Sequence, residues 1–191
     1  LQVEHGITEE ITGIDIVQLQ VKIGRGERLP EELPPIVEAS ESVAIEARVC
    51  AENPDAGFLP APGKIVRFDP ALGPRIRIDT GVVSGSSVPA AFDSLIAKVI
   101  SVGENREEAI GRLSSALRDF DLVIAGGATN KGYLLELLDA PEYRQGGVDT
   151  GWLDRWNETR SPQAEFAAEA LAVAAMVAYQ DDRHAYRLNF F

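Results

Sequence analysis

Glu4 and His5 close a short strand-like alternation at the start of the chain, Leu1-Gln2-Val3-Glu4-His5. A carboxylate or imidazole at a strand end is placed for proton transfer. The same residues also fit an exposed terminal segment, the reading that spacing by itself favours. Arg48 lies in "SVAIEARVCA", on one face with Glu46. Its fixed fork of donors suits an anionic substrate. The alternative, which the pattern favours, is a surface cross-strand ion pair worth little. The glycine-rich pieces "GVVSGSSV" and "IAGGATN" lack a following Gly-Lys-Ser/Thr or a dinucleotide fingerprint, so they read as turns. His184 has no second histidine or cysteine at ligand spacing, which disfavours a metal site there.

These residues need elements to hold them. Ile7, Ile11, Ile14, Val17 and Val21 recur at helical spacing, and Gly13-Ile14-Asp15 interrupts them. The pattern predicts a short helix, a break, and a second helix capped by Asp15 and stopped by Gly24 and Gly26. Residues 29–40 hold three prolines and read as a surface loop. Val43, Ile45, Ala47 and Val49 alternate with Ala44, Glu46, Arg48 and Cys50, which predicts a strand. Residues 64–69, 75–80 and 92–103 read as further strands joined by proline- and glycine-rich turns. A helix starts at Glu104 or Asn105, with Ala109, Leu113, Ala116 and Leu117 on one face. A short strand, "DLVIAGG", follows. Then comes a helix over "TNKGYLLELLDAPEY" with Thr129 as its N-cap. "VDTGWLDRWN" leads into another short helix, and the alanine-rich tail after Ser161-Pro162 is helical by propensity. The expected fold class is α+β, with one antiparallel sheet from about 42–102 and 120–125 packed on helices at 104–118 and 129–138, and a helical C-terminal extension.

Composition sets the outer bounds. The 191 residues are 45% hydrophobic and 25% charged, ordinary for a globular protein with a real core. No apolar run approaches the roughly 18 residues of a membrane span. Thirty acids against 18 bases give a formal charge of -12. That disfavours nucleic acid and anionic membranes as partners, but not a small anion met by a few local cations. Cys50 is alone, which excludes an internal disulfide or a multi-cysteine zinc site and fits a reducing cytoplasm.

The order of the motifs carries more than any one of them. "LQVEHGITEEITGIDIVQLQVKIGRGERLP" resembles the end of the ATP-grasp region of biotin carboxylases. "AIEARVCAENPDAGFLPAPGKI", "FDSLIAKVISVGENREEAIGRLSSALRDF", "IAGGATNKGYLLELL" and "GGVDTGWL" resemble, in order, the C-terminal domain of that family. The resemblance implies residues 1–40 as the end of the ATP-grasp region and 41–156 as the biotin carboxylase C-terminal domain. Residues 157–191 would be a helical linker or the start of a following region, which points to a multidomain acyl-CoA carboxylase.

The resemblance also changes the weight of the first candidates. It implies an ATP-grasp ligase that uses ATP and bicarbonate to make carboxyphosphate and carboxylates N1 of carrier-linked biotin. Glu4 would be the base that takes the bicarbonate proton, with Gln2 and the Val3 backbone binding bicarbonate beside it. Arg48 would steady the biotin enolate, and the segment around Thr150 would lie on the adenine side of the nucleotide. A placed carboxylate and a permanently charged guanidinium suit these tasks. Implied cofactors are ATP, magnesium or manganese, and biotin. Implied partners are a biotin carrier domain and a carboxyltransferase domain or subunit, within an oligomer. Gly6 departs from the proline that many relatives carry after the histidine. The family's metal ligands and its glycine-rich lid lie upstream of the motif, so no metal ligand is expected here and the chain alone is expected to be inactive. Two alternatives stand beside this reading: a carbamoyl-phosphate synthetase-like ligase, and a non-catalytic subunit-interaction module of the same fold.

Overall fold

A computed structural model describes residues 1–30, 42–160, 169, 171–177 and 179. The chain divides after Val148 into two parts. In the first, helices α1 (His5–Thr12) and α2 (Ile16–Gly24) flank Gly13, whose φ of 70° ends α1 as only glycine does without strain. Asp15 caps α2, its carboxylate accepting from the Gln18 N–H at 2.8 Å.

The central sheet has the order β1 (Val43–Cys50), β7 (Leu95–Gly103), β5 (Ile76–Thr80), antiparallel throughout. Strands β2 (Glu52–Asn53) and β3 (Leu59–Pro60) form a small hairpin. A second three-stranded sheet has the order β6 (Ser87–Val88), β4 (Gly63–Asp69), β8 (Asp121–Ala125). The single sheet expected over 42–102 and 120–125 is therefore three among the described residues. The link between β4 and β5 holds Pro70, Gly73 and Pro74, and Arg75 has a φ of 62°. This link does not return as a hairpin, so β5 pairs with β7 and the edges of β4 are taken by β6 and β8.

Period-two alternation sorts the central sheet into two faces. Ile45, Ala47 and Val49 of β1 and Ala97 and Val99 of β7 turn to one side and are buried. Helix α3 (Arg106–Asp119) covers them with Ala109, Ile110, Leu113, Ala116 and Leu117. Asn105 caps α3, accepting from the Glu108 N–H at 2.9 Å. The close seat is set at Gly103, where a Cβ would stand 2.4 Å from the Ala109 nitrogen. Ser101 Oγ, fully buried, donates to the Ala109 carbonyl at 2.8 Å.

Helix α4 (Lys131–Asp139) begins one residue later than expected, with Asn130 rather than Thr129 at the N-cap. The Asn130 side chain does not cap; it is drawn to β1. The expected single helix breaks before Pro141, which holds Ala140 extended, and α5 (Pro141–Gln145) follows. In the second part, α6 (Trp152–Thr159) is described, and residues 171–177 are helical with Leu171, Val173 and Met176 exposed. Most of the 29–40 loop, His184 and the rest of the tail lie outside the described residues.

Candidate active site

The register of the central sheet places two cross-strand rows on the face away from α3. Glu46 stands opposite Ile100, and Ile100 opposite Arg77. Arg48 stands opposite Lys98, and Lys98 opposite Asp79. Directly opposed residues share a face, so these six side chains form one patch. Helix α1 lies on it, with its buried Gly6 against Ile100, where a Cβ would come within 2.4 Å of Cδ1.

Charged groups bind α1 to the sheet. Lys98 Nζ donates to the Val3 carbonyl at 3.0 Å and lies 3.1 Å from His5 Nε2 and 3.2 Å from Asp79 Oδ2. An ammonium only donates, so Nε2 accepts and the ring proton belongs on Nδ1. Nδ1 faces Glu9 Oε1 at 3.1 Å, an ion-pair distance without hydrogen-bond alignment. Arg77 grips Asp79 through Nε at 2.8 Å and Nη2 at 3.0 Å, and reaches Glu9 Oε2 at 2.8 Å.

These contacts set the protonation of the carboxylates. Burial alone would raise Glu9, but Arg77, the nearby His5 ring and the Ile16 N–H hold it below its ordinary range. Asp79 is held low in the same way, with Arg77 and then Lys98 outweighing burial. Glu46 goes the other way. Both its carboxyl oxygens are buried without a hydrogen-bond partner among the described residues, and burial pushes it up against the pull of Lys98 and Arg48. Burial also pushes the Cys50 thiol up to about 11, which makes it inert as a nucleophile at neutral pH.

Arg48 itself is exposed on the patch, and its backbone is clamped from behind. Strand β1 is an edge of the central sheet, and the Cys50 N–H is bonded on its open side. Asn130 Oδ1 accepts that N–H at 2.9 Å, and Asn130 Nδ2 donates to the Arg48 carbonyl at 3.0 Å.

Gln2, Val3 and Glu4 are exposed, with Glu4 at the N-cap of α1 and its carbonyl accepting from the Ile7 N–H at 3.1 Å. The Val3 carbonyl and the Arg48 strand thus meet at Lys98. Thr150 belongs to the second part of the chain, exposed in the turn before α6. A cleft of about 340 Å³ opens beside the network, with His5, Asp79, Thr80 and Lys98 in its wall. A groove of about 480 Å³ between residues 71–76 and α3 contains none of the candidate residues. Among the described residues no three His, Cys, Asp or Glu side chains are gathered to hold a metal ion. No helix among the described residues is long and apolar enough to cross a membrane.

Lys98, Asp79, Arg77, Glu9 and Asn130 escaped the sequence reading. The available signal was a single lysine inside the apolar run Leu95-Ile96-Ala97-Lys98-Val99-Ile100. A lysine is almost never buried unless paired.

Residues 46–155 match the family described as Biotin carboxylase C-terminal domain, and residues 1–32 match Carbamoyl-phosphate synthase L chain, ATP binding domain. The biotin carboxylase of Nostoc sp. is 39% identical over 83% of this chain. The mitochondrial methylcrotonoyl-CoA carboxylase subunit alpha of Arabidopsis thaliana is 37% identical over 98% of it. The chain spans 34% of the length of the first and 24% of the second. Among solved structures, the biotin carboxylase domain of Hydrogenobacter thermophilus 2-oxoglutarate carboxylase, a dimer holding MgADP, ADP and bicarbonate, superimposes with a TM-score of 0.75 at 35% identity. That match covers 82% of this chain and 34% of that one. The biotin carboxylase subunit of a pyruvate carboxylase gives 0.76 at 33% identity, covering 83% of this chain and 34% of that one. With an α+β fold of antiparallel sheets packed on helices and this match over residues 46–155, the chain belongs to the biotin carboxylase family.

Proposed function

We propose that this chain supplies the biotin-facing side of a biotin carboxylase active site, a ligase most of whose ATP and metal site is provided by residues outside these 191. The observation that carries the reading is the register that sets Arg48 beside Lys98, whose ammonium holds the peptide between Val3 and Glu4. Glu4 takes the proton of bicarbonate, which Gln2 and the Val3 N–H hold in place. ATP, when bound, supplies the driving force for activating the carboxyl group. Arg48 then meets the oxygen of the biotin ureido group as negative charge develops on it. A guanidinium stays charged throughout and needs no reorganisation at that moment. Thr150 contributes to the adenine side of the nucleotide pocket. The carboxylated biotin rides on a carrier domain to a carboxyltransferase that uses an acyl-CoA, and the whole works as an oligomer in the cytoplasm.

The match of residues 46–155 to the biotin carboxylase C-terminal domain favours this over a carbamoyl-phosphate synthetase-like ligase. The test joins the chain to the ATP-grasp region of the Nostoc relative and measures bicarbonate-dependent ADP formation with free biotin. The joined protein is expected to carboxylate biotin, and the 191 residues alone to be silent. ATP hydrolysis by the joined protein with no carboxybiotin would refute the proposal.

A further inference from the structure

We infer that Lys98 is the positioning residue that sets Glu4 relative to Arg48; this rests on the roles proposed for those two residues. Lys98 is only 8% exposed, and its ammonium has three donors. Three acceptors surround it: the Val3 carbonyl, His5 Nε2 and Asp79 Oδ2, all within 3.2 Å. The group is therefore fully committed within the fold and has no donor left for a substrate. Two of its three partners flank Glu4 in sequence. The Val3 carbonyl belongs to the peptide that leads into Glu4, so holding it orients that peptide plane. The His5 ring follows on the other side, with Glu9 Oε1 3.1 Å from its Nδ1. Lys98 thus grips the chain on either side of Glu4.

The other end of the same side chain is the partner of Arg48 in the β1–β7 ladder. One lysine therefore links the strand carrying the guanidinium to the segment carrying the base. Glu4 has no side-chain cap bond of its own to its helix. Its direction depends on the backbone that Lys98 holds. Asp79 supplies the counter-charge, but it lies on β5 and touches neither residue 3 nor residue 5 in this network. A purely structural role for the Lys98–Asp79 pair would make loss of either partner equivalent. A positioning role makes them different.

The experiment compares Lys98→Met with Asp79→Asn. In the 191-residue chain, amide hydrogen exchange is read at His5 and Ile7, whose N–H groups bond the Gln2 and Glu4 carbonyls. Lys98→Met is expected to speed exchange at both, with Val49 and Val99 in the ladder unchanged. Asp79→Asn is expected to leave His5 and Ile7 protected. Lys98→Gln gives a second, smaller change should the methionine variant fail to fold. In the joined protein, Lys98→Met is expected to lower kcat for biotin carboxylation by about tenfold to a hundredfold, the scale of an ångström misplacement. KM for free biotin stays within about twofold, because Arg48 is intact, and Asp79→Asn loses no more than about threefold in kcat. Unchanged exchange at His5 and Ile7 in Lys98→Met and Lys98→Gln overturns the inference, whatever Glu4 does. Equal losses of kcat in Lys98→Met and Asp79→Asn overturn it too. Faster exchange with no loss of kcat, in a protein where Glu4→Gln is also silent, instead refutes the proposed role of Glu4.

Discussion

The two faces of the β1-β7-β5 sheet are built from the same strands and hold the molecule together by different means. On the α3 face, Val49, Val99, Ile110, Leu113 and Leu117 are essentially sealed from water. Their contribution is burial, worth about 1.5–3 kcal/mol for each large side chain. On the α1 face, Lys98, Asp79, Arg77 and Glu9 form a charged network beside the close approach of Gly6 to Ile100. Burial is non-directional, whereas hydrogen-bonded ions fix angles and distances. One face supplies stability and the other supplies geometry. A residue's phase in the strand, odd or even, decides which task it has.

Substitutions on the two faces can separate these tasks. The largest stability effect is expected at the centre of the α3 face. Leu113→Ala should cost about 2–5 kcal/mol, the range for a buried leucine that leaves a cavity, read as the shift of a urea transition. A loss below about 1 kcal/mol would mean that the site collapses freely. Next comes the close seat between strand and helix. Gly103→Ala forces a Cβ against the Ala109 nitrogen and should cost about 1–3 kcal/mol, again by urea titration, because the obstacle is backbone and cannot swing away.

The α1 face should answer to pH, and with opposite signs at neighbouring residues. Asp79 is lowered in the fold, so the stability it adds is present above its unfolded value near about 4 and is lost as pH falls through the lower folded value. Asp79→Asn should therefore lower the urea midpoint at neutral pH, and the difference should shrink in acid. Glu46 is raised, so the fold favours its protonated form. Its stabilising contribution is present below the unfolded value and is lost as pH rises through the folded one. Glu46→Gln should hold or raise the midpoint at neutral pH and leave it unchanged in acid. Equal behaviour of the two variants would contradict the charge pattern of this face. The smallest effect belongs to a pair on neither face. Arg67 and Asp121 meet at 2.8 Å across β4 and β8 but are 60% and 55% exposed. Arg67→Ala should change stability by about 0–1 kcal/mol, by the same titration.

What could be read from the sequence follows the same divide. Alternation in residues 43–50 correctly set Glu46 and Arg48 on one face, Asp15 announced its helix, and of the two starts read for the next, Glu104 or Asn105, the cap is Asn105. Such signals are local. The pairing of β4 with β8 rather than with β5 is not local, so one sheet was expected where the described residues form separate ones. Asn130 looked like an ordinary residue after a cap, yet its amide serves β1 across a separation of 80 residues. Lys98 reaches Val3 across 95 residues, and no window of sequence shows that contact. The roles proposed for Glu4 and Arg48 rest on the resemblance. Their types and spacing alone favoured an exposed end and a surface ion pair.

The most direct measurement is transfer of labelled bicarbonate carbon to free biotin by the joined protein, with Glu4→Gln and Arg48→Met made singly and together. Each single variant should lose about a hundredfold or more in kcat, the scale of losing a placed base or a preorganised charge. Together they should lose far less than the product of the two, because residues that act as a unit are not additive. The urea midpoint should stay near that of the parent, since both side chains are exposed. Carboxylation at the normal rate in either single variant would contradict the proposed site.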